Sequence, residues 1–255
     1  MAAVLISAVP LLWPAVPPLT DLPGHLGRFR VMLDGDAGPL AAWYRFRWML
    51  VGNLGVDLAV RALAPVLGLL PAVKAVVIAT VMLTVAGTLW IAREVHGRVT
   101  PWAIAALPLA YNYAFHFGFV NYLLAMALAL NAFALWLRLG QLARYRLRAA
   151  LFVPVALAIW LAHVVGWGML GLFVLGAELR DWKRVPLRLL PLAPDTGFVV
   201  VDGARAHVTV DGELLTRHRI EGEARADFGH TASALGDHDE VHDHDHAEDH
   251  EADHH

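Results

Sequence analysis

No cysteine occurs in the 255 residues. That excludes a disulfide framework, thiol catalysis and cysteine-ligated metal, and it leaves the redox compartment open. Lysine is nearly as scarce, with Lys74 and Lys183 the only two, so arginine supplies almost all the positive charge. Such an Arg, Ala and Leu bias is one that GC-rich coding produces, and it carries no nucleic-acid inference. Between Met1 and Leu19 there is no cation at all. A secretory signal peptide carries positive charge before its apolar run, so this stretch reads as an uncleaved first span, interrupted by Pro10, Pro14, Pro17 and Pro18.

What is abundant is apolar side chain, at 58% of the residues against about 45–50% in ordinary soluble domains. The surplus calls for a bilayer as solvent. A helix needs roughly 20 apolar residues to cross the hydrocarbon core, and residues 72–92, 101–116, 117–137 and 149–179 qualify or nearly do. The last is too long for one untilted crossing, so it is either a strongly tilted helix or a hairpin broken around Gly166, Gly168 and Gly171. The fold class expected is mainly α: a polytopic transmembrane bundle of about five or six spans over residues 1–190.

Residues 20–70 differ in kind. Asp21, Arg28, Arg30, Asp34, Asp36, Arg45, Arg47, Asp57 and Arg61 are too many charges for lipid-facing spans, and the Leu, Trp and Val between them too many for a free loop. Interfacial amphipathic helices fit this pattern. For residues 50–70 the alternative is a true span with an Asp57–Arg61 pair one turn apart. After residue 190, Val alternates with polar residues between Asp202-Gly203 and Asp211-Gly212, a hairpin signal, so a small β-hairpin or meander is expected over 191–230. The tail, 231–255, has almost nothing to bury and is expected to be disordered.

Charge is unevenly distributed. Nine of the 23 acids and none of the 20 Lys and Arg lie in residues 237–255, so residues 1–236 carry a formal +6. Arg93 and Arg98 follow one apolar run, and Arg138, Arg144, Arg146 and Arg148 follow another. Positive loops stay cytoplasmic, which puts both on the cytoplasmic side of the membrane. Residues 20–50 and the aromatic turn around His116 then share the outer face.

Four constellations could carry chemistry. In TDLPGHLGRF (20–29), Asp21, His25 and Arg28 bring a carboxylate, an imidazole and a guanidinium together if a helix begins at Pro23. A carboxylate there can act as general base toward a hydroxyl, and Arg holds phosphate bidentately; the alternative is that Asp21 caps the helix and Arg28 meets lipid headgroups. In YNYAFHFGFVNY (111–122), Asn112, His116 and Asn121 are polar groups at membrane depth, where polarity is costly, and they read either as a substrate site or as hydrogen-bonded amides in an aromatic belt. His163 lies within an apolar run, as an interhelical hydrogen-bonding residue or a ligand. In the tail, His238, His242, His244, His246, His250, His254 and His255 stand among the nine carboxylates. This is a donor set for Zn²⁺ or Ni²⁺, suited to buffering.

The motifs DLPGHLGR (21–28), Trp43-Tyr44, Arg47-Trp48, Asn53-Leu54, Asp57-Leu58, FGFVNYLL (117–124) and LAH (161–163) together resemble a family of uncharacterised bacterial polytopic membrane proteins. That family is similar to the C-type membrane glycosyltransferases, which take sugars from polyprenyl-phosphate donors. The resemblance covers roughly residues 10–185, the amino-terminal part of such enzymes. It implies an acidic catalytic base in the first outer loop, which here is Asp21, with His25 beside it. Arg28, Asn112, His116, Asn121 and His163 would be substrate-binding, and membrane lipids and a polyprenyl-phosphate sugar would be the partners. The competing reading is a transition-metal transporter or metal buffer using the tail; the clearest spans, 72–92 and 119–137, contain no Asp or Glu to relay an ion.

Overall fold

A computed structural model of the chain describes residues 1–179, 185–193 and 208–210. Three helices are long and apolar enough to cross a membrane: α4 (Leu69–His96), α7 (Val120–Gln141) and α8 (Tyr145–Ala162). At 1.5 Å per residue α4 is about 40 Å long, more than a hydrocarbon core requires. It ends on Gly97, whose φ of 69° lies in the left-handed region that glycine adopts without penalty.

α4 and α7 run in the same direction. Val76, Val77 and Thr80 lie beside Val120 and Leu123, Asn131 Nδ2 donates to the Leu83 carbonyl at 2.8 Å, and at the far end Gln141 Nε2 donates to the Glu94 carbonyl. A Cβ on Gly87 would sit 2.8 Å from Leu130 Cβ, so glycine is what lets the two helices approach this closely.

Two parallel helices need a return path between them, and residues 101–116 supply it without forming the continuous span expected of them. The path is a 3₁₀ turn at Pro101–Ala105, α5 (Ala106–Leu109) and α6 (Tyr113–Phe117). Helix α6 starts afresh because the Asn112 side chain accepts from Phe115 N–H at 3.0 Å. Asparagine thereby offers the backbone a local alternative to continuing the preceding helix.

Residues 145–178 form a hairpin, α8 followed by α9 (Val164–Glu178). The break falls at His163, which is extended (φ −168°, ψ 130°), and not at the glycine cluster. Gly168 and Gly171 face open space, while a Cβ on Gly166 would come within 2.5 Å of Ala125 Cβ. Gly166 serves packing against α7, and the turn is made by the histidine.

The bundle therefore has two ends. Glu94, Arg138, Arg148 and Glu178 gather at one, the arginine-rich end. At the other lie the first turn of α7 and the α8–α9 joint, together with α2 (Leu22–Asp34) and α3 (Gly55–Leu67). α1 (Ala2–Ala8) and its 3₁₀ extension Val9–Leu11 pack on α4 but are shorter than a crossing. Asp57 does not pair with Arg61 within α3; its partner is Arg28 on α2, because α3 turns that face toward α2 and the core.

Strand β1 (Tyr44–Phe46) pairs antiparallel with β2 (Val208–Val210), Arg45 opposite Thr209. β2 falls in the region read as a hairpin, but its partner lies far upstream. α10 (Val185–Leu189) and a 3₁₀ turn, Leu190–Leu192, pack against α8 and α9. The rest of the expected hairpin and the tail with His238, His242, His244, His246, His250, His254 and His255 lie outside the described residues.

Candidate functional site

The loop before α2 is fastened to the turn before α7 by backbone. Thr20 N–H donates to the His116 carbonyl and Asp21 N–H to that of Phe117, each at 3.0 Å. Gly118 makes the contact possible, since its φ is 95° and a Cβ there would sit 3.0 Å from the Asp21 nitrogen. Asp21 and the aromatic turn are thus at one level, at the end of the bundle opposite Arg138 and Arg148.

Helix α2 then presents His25 one turn on. Its Nε2 lies 3.8 Å from Asp21 Oδ2, an electrostatic contact longer than a hydrogen bond. The Asp21 side chain is 57% exposed and that of His25 21%. The His25 imidazole also lies nearly parallel to the Phe29 ring. Burial, and after it the Arg28 charge, push the His25 pKa below its ordinary value; Asp21, Asp57 and a backbone hydrogen bond at Gly118 oppose this less strongly. The imidazole is therefore neutral near pH 7 and able to accept a proton.

Behind this pair, a buried polar network holds residues 52–57 in place. Arg28 Nη2 donates to Asp57 Oδ2 at 2.8 Å, and Asp57 is fully buried. Asn121 Oδ1 accepts from Val56 N–H at 2.6 Å, while its Nδ2 donates to the Asn53 carbonyl at 3.1 Å and lies 3.4 Å from Asp57 Oδ2. On the other side Leu54 N–H donates to the Leu161 carbonyl, and Val164 N–H to that of Gly52. The α8–α9 joint is tied in by the same contacts. His163 Nδ1 accepts from Val165 N–H at 3.2 Å, capping α9, and its ring stands edge-on to Tyr122, centroids 5.8 Å apart.

Between these elements opens a cleft of about 630 Å³, lined among others by Asp21, His25, Asn53, Asn121, Tyr122 and His163. Of the residues singled out in the sequence, Asp21, His25, Asn121 and His163 come together here. Arg28 stands behind the cleft, committed to Asp57. Asn112 and His116 do not line it: Asn112 caps α6, and His116, exposed, contributes its carbonyl to Thr20. Asn53 and Tyr122 line the cleft without having been picked out as site residues. An amide just before a helix start, and a tyrosine one position after Asn121, were the available signals.

Chemically the cleft offers an exposed carboxylate beside a neutral imidazole, backed by amides and a tyrosine, at the end of the apolar bundle. That is equipment for taking a proton from a hydroxyl. Among the described residues no group of three or more His, Asp or Glu side chains is arranged to hold a metal ion. Comparison with family models, curated proteins and solved structures finds no match to this chain.

Proposed function

We propose that this chain is an integral membrane protein of glycosyltransferase-like architecture, handling a polyprenyl-phosphate-linked sugar at the outer face of a bacterial inner membrane. The observation that carries this reading is the Asp21–His25 pair at the mouth of the cleft, 3.8 Å apart, at the end of the bundle opposite Arg138 and Arg148. With the arginine-rich end cytoplasmic, the cleft opens outward at the level of the lipid headgroups, where a lipid-linked sugar presents its reactive carbon.

In this reading Asp21 accepts the proton of the acceptor hydroxyl. The hydroxyl oxygen bonds to the anomeric carbon as the bond from that carbon to the phosphate oxygen breaks, and the polyprenyl phosphate leaves with the electron pair. His25, neutral and 3.8 Å away, stands next in line to take the proton on. Arg28, held by Asp57 behind the cleft, adds positive charge that favours an incoming phosphate. His163 meets the sugar's hydroxyl groups, and Asn121, bonded to Val56 and Asn53, positions that wall of the cleft.

Reconstituted with a polyprenyl-phosphate sugar, the Asp21→Asn variant should lose transfer by at least a hundredfold, a typical loss for a general base, while inserting into the membrane normally. Transfer retained within a few-fold would remove Asp21 from the mechanism. Metal transport, the other reading of the sequence, has no observation in its favour among the described residues.

A further inference from the structure

We propose that the arginine-rich end of the bundle contains a second binding site, one that takes the phosphate group of an anionic ligand. At that end lies a pocket of about 380 Å³, lined among others by Trp136, Tyr145, Arg146, Arg148, Arg188 and Pro191. It is far from Asp21 and plays no part in the chemistry above.

Arginines flanking a span are common and need not form a site. What sets this pocket apart is the way Arg148 is held. It is 5% exposed, and its guanidinium lies 3.9 Å from the centroid of the Trp136 ring and 5.2 Å from that of Tyr145. Its Nη1 donates to Glu178 Oε1 at 3.0 Å, and the same oxygen accepts from Trp136 Nε1 at 3.0 Å. Glu178 Oε2 accepts from Arg188. A guanidinium stacked on aromatics and fixed by a carboxylate has lost its rotameric freedom before any ligand arrives, so binding costs less ordering.

Among the described residues the charge is not balanced. Glu178 brings one negative charge, and even with Arg188 set aside it faces Arg148 together with Arg146, which meets no carboxylate among the described residues. A cationic surplus at the edge of a low-dielectric bundle is stabilised by an anion. The planar guanidinium fork matches two oxygens of a phosphate, and the exposed Tyr145 ring offers an apolar ledge to whatever the phosphate is attached to. The pocket lies at the ends of α7 and α8, where a bilayer places its headgroups. The phosphate can thus be that of an anionic phospholipid or of a soluble ion.

The test uses the full chain in vesicles of mixed phosphatidylcholine and phosphatidylglycerol, with retained lipid read by native mass spectrometry and with inorganic phosphate titrated separately. Wild type should retain phosphatidylglycerol in preference to phosphatidylcholine. Arg146→Ala removes an exposed side chain with no structural bond and should lower that retention about tenfold, the value of one charge-assisted hydrogen bond. Arg144→Ala, an equal charge loss two residues earlier, in the α7–α8 loop and outside the pocket lining, should leave it unchanged. Arg146-dependent retention that phosphate does not displace identifies the lipid headgroup. Arg146-dependent binding of inorganic phosphate without lipid enrichment identifies a soluble ligand. No preference for either, or equal losses in Arg144→Ala and Arg146→Ala, would overturn the proposal, since a diffuse basic rim would then explain everything.

Discussion

Removing Arg28 should expose how strongly the cleft depends on the network behind it. In Arg28→Ala the Asp57 carboxylate, fully buried, loses the 2.8 Å hydrogen bond that compensates its charge. Little remains to replace it: the Asn121 amide lies 3.4 Å away, and Asp57 Oδ1 has no hydrogen-bond partner among the described residues. Exposed ion pairs are worth about 0–1 kcal/mol, but the side chains here are 16% and 0% exposed, and breaking a buried pair from one side costs roughly 3–5 kcal/mol. Asp57→Asn removes the charge and keeps the shape, so the double variant should recover part of the loss. A double-mutant cycle on unfolding in mixed micelles should give a coupling of about 2 kcal/mol or more. A cost under about 1 kcal/mol for Arg28→Ala, or strictly additive single effects, would refute the claim that this pair anchors α2 to α3.

Two further outcomes follow from the same geometry. Gly166→Ala places a Cβ 2.5 Å from Ala125 Cβ and 2.7 Å from its backbone carbon, so α7 and α9 must separate; the cost should be about 1–3 kcal/mol, whereas Gly168→Ala, facing open space, should stay within about 0.5 kcal/mol of wild type. Because burial and Arg28 hold the His25 pKa below its ordinary 6.5, the unfolded chain takes up that proton first as pH falls. Stability from this group is therefore complete above about 6.5 and declines below it toward the folded-state value. The decline should be shallower in His25→Gln, and an identical slope in both proteins would show that His25 is not its source.

The long helices were legible because hydrophobic runs report them directly: 72–92 sits inside α4, and 119–137 coincides with most of α7. Hydropathy also marked 101–116, but it cannot see that Asn112 will cap a new helix within an apolar stretch. The glycine cluster after His163 drew attention as a breaker, while the histidine itself, which makes the turn, read as an isolated polar residue inside a span. Asp21 and His25 were visible because they are four residues apart across one helix start. Partners distant in sequence, such as Arg28 with Asp57 or Asn121 with Asn53, left no local trace. The Arg148–Glu178 contact was hidden for the same reason, although a lone carboxylate at the end of an apolar run, opposite an arginine-rich loop, is a signal that could have been followed.

The reading rests on the Asp21 cleft and the arginine-rich loops facing opposite sides of one membrane. The absence of native cysteine makes that directly measurable with single-cysteine variants and a membrane-impermeant maleimide applied to intact cells with a permeable outer membrane. Thr20→Cys, at an exposed position beside Asp21, should be labelled, and Arg144→Cys, exposed in the α7–α8 loop, only after the inner membrane is broken. Labelling of both from one side would contradict the account, because no span would then separate the cleft from the arginines.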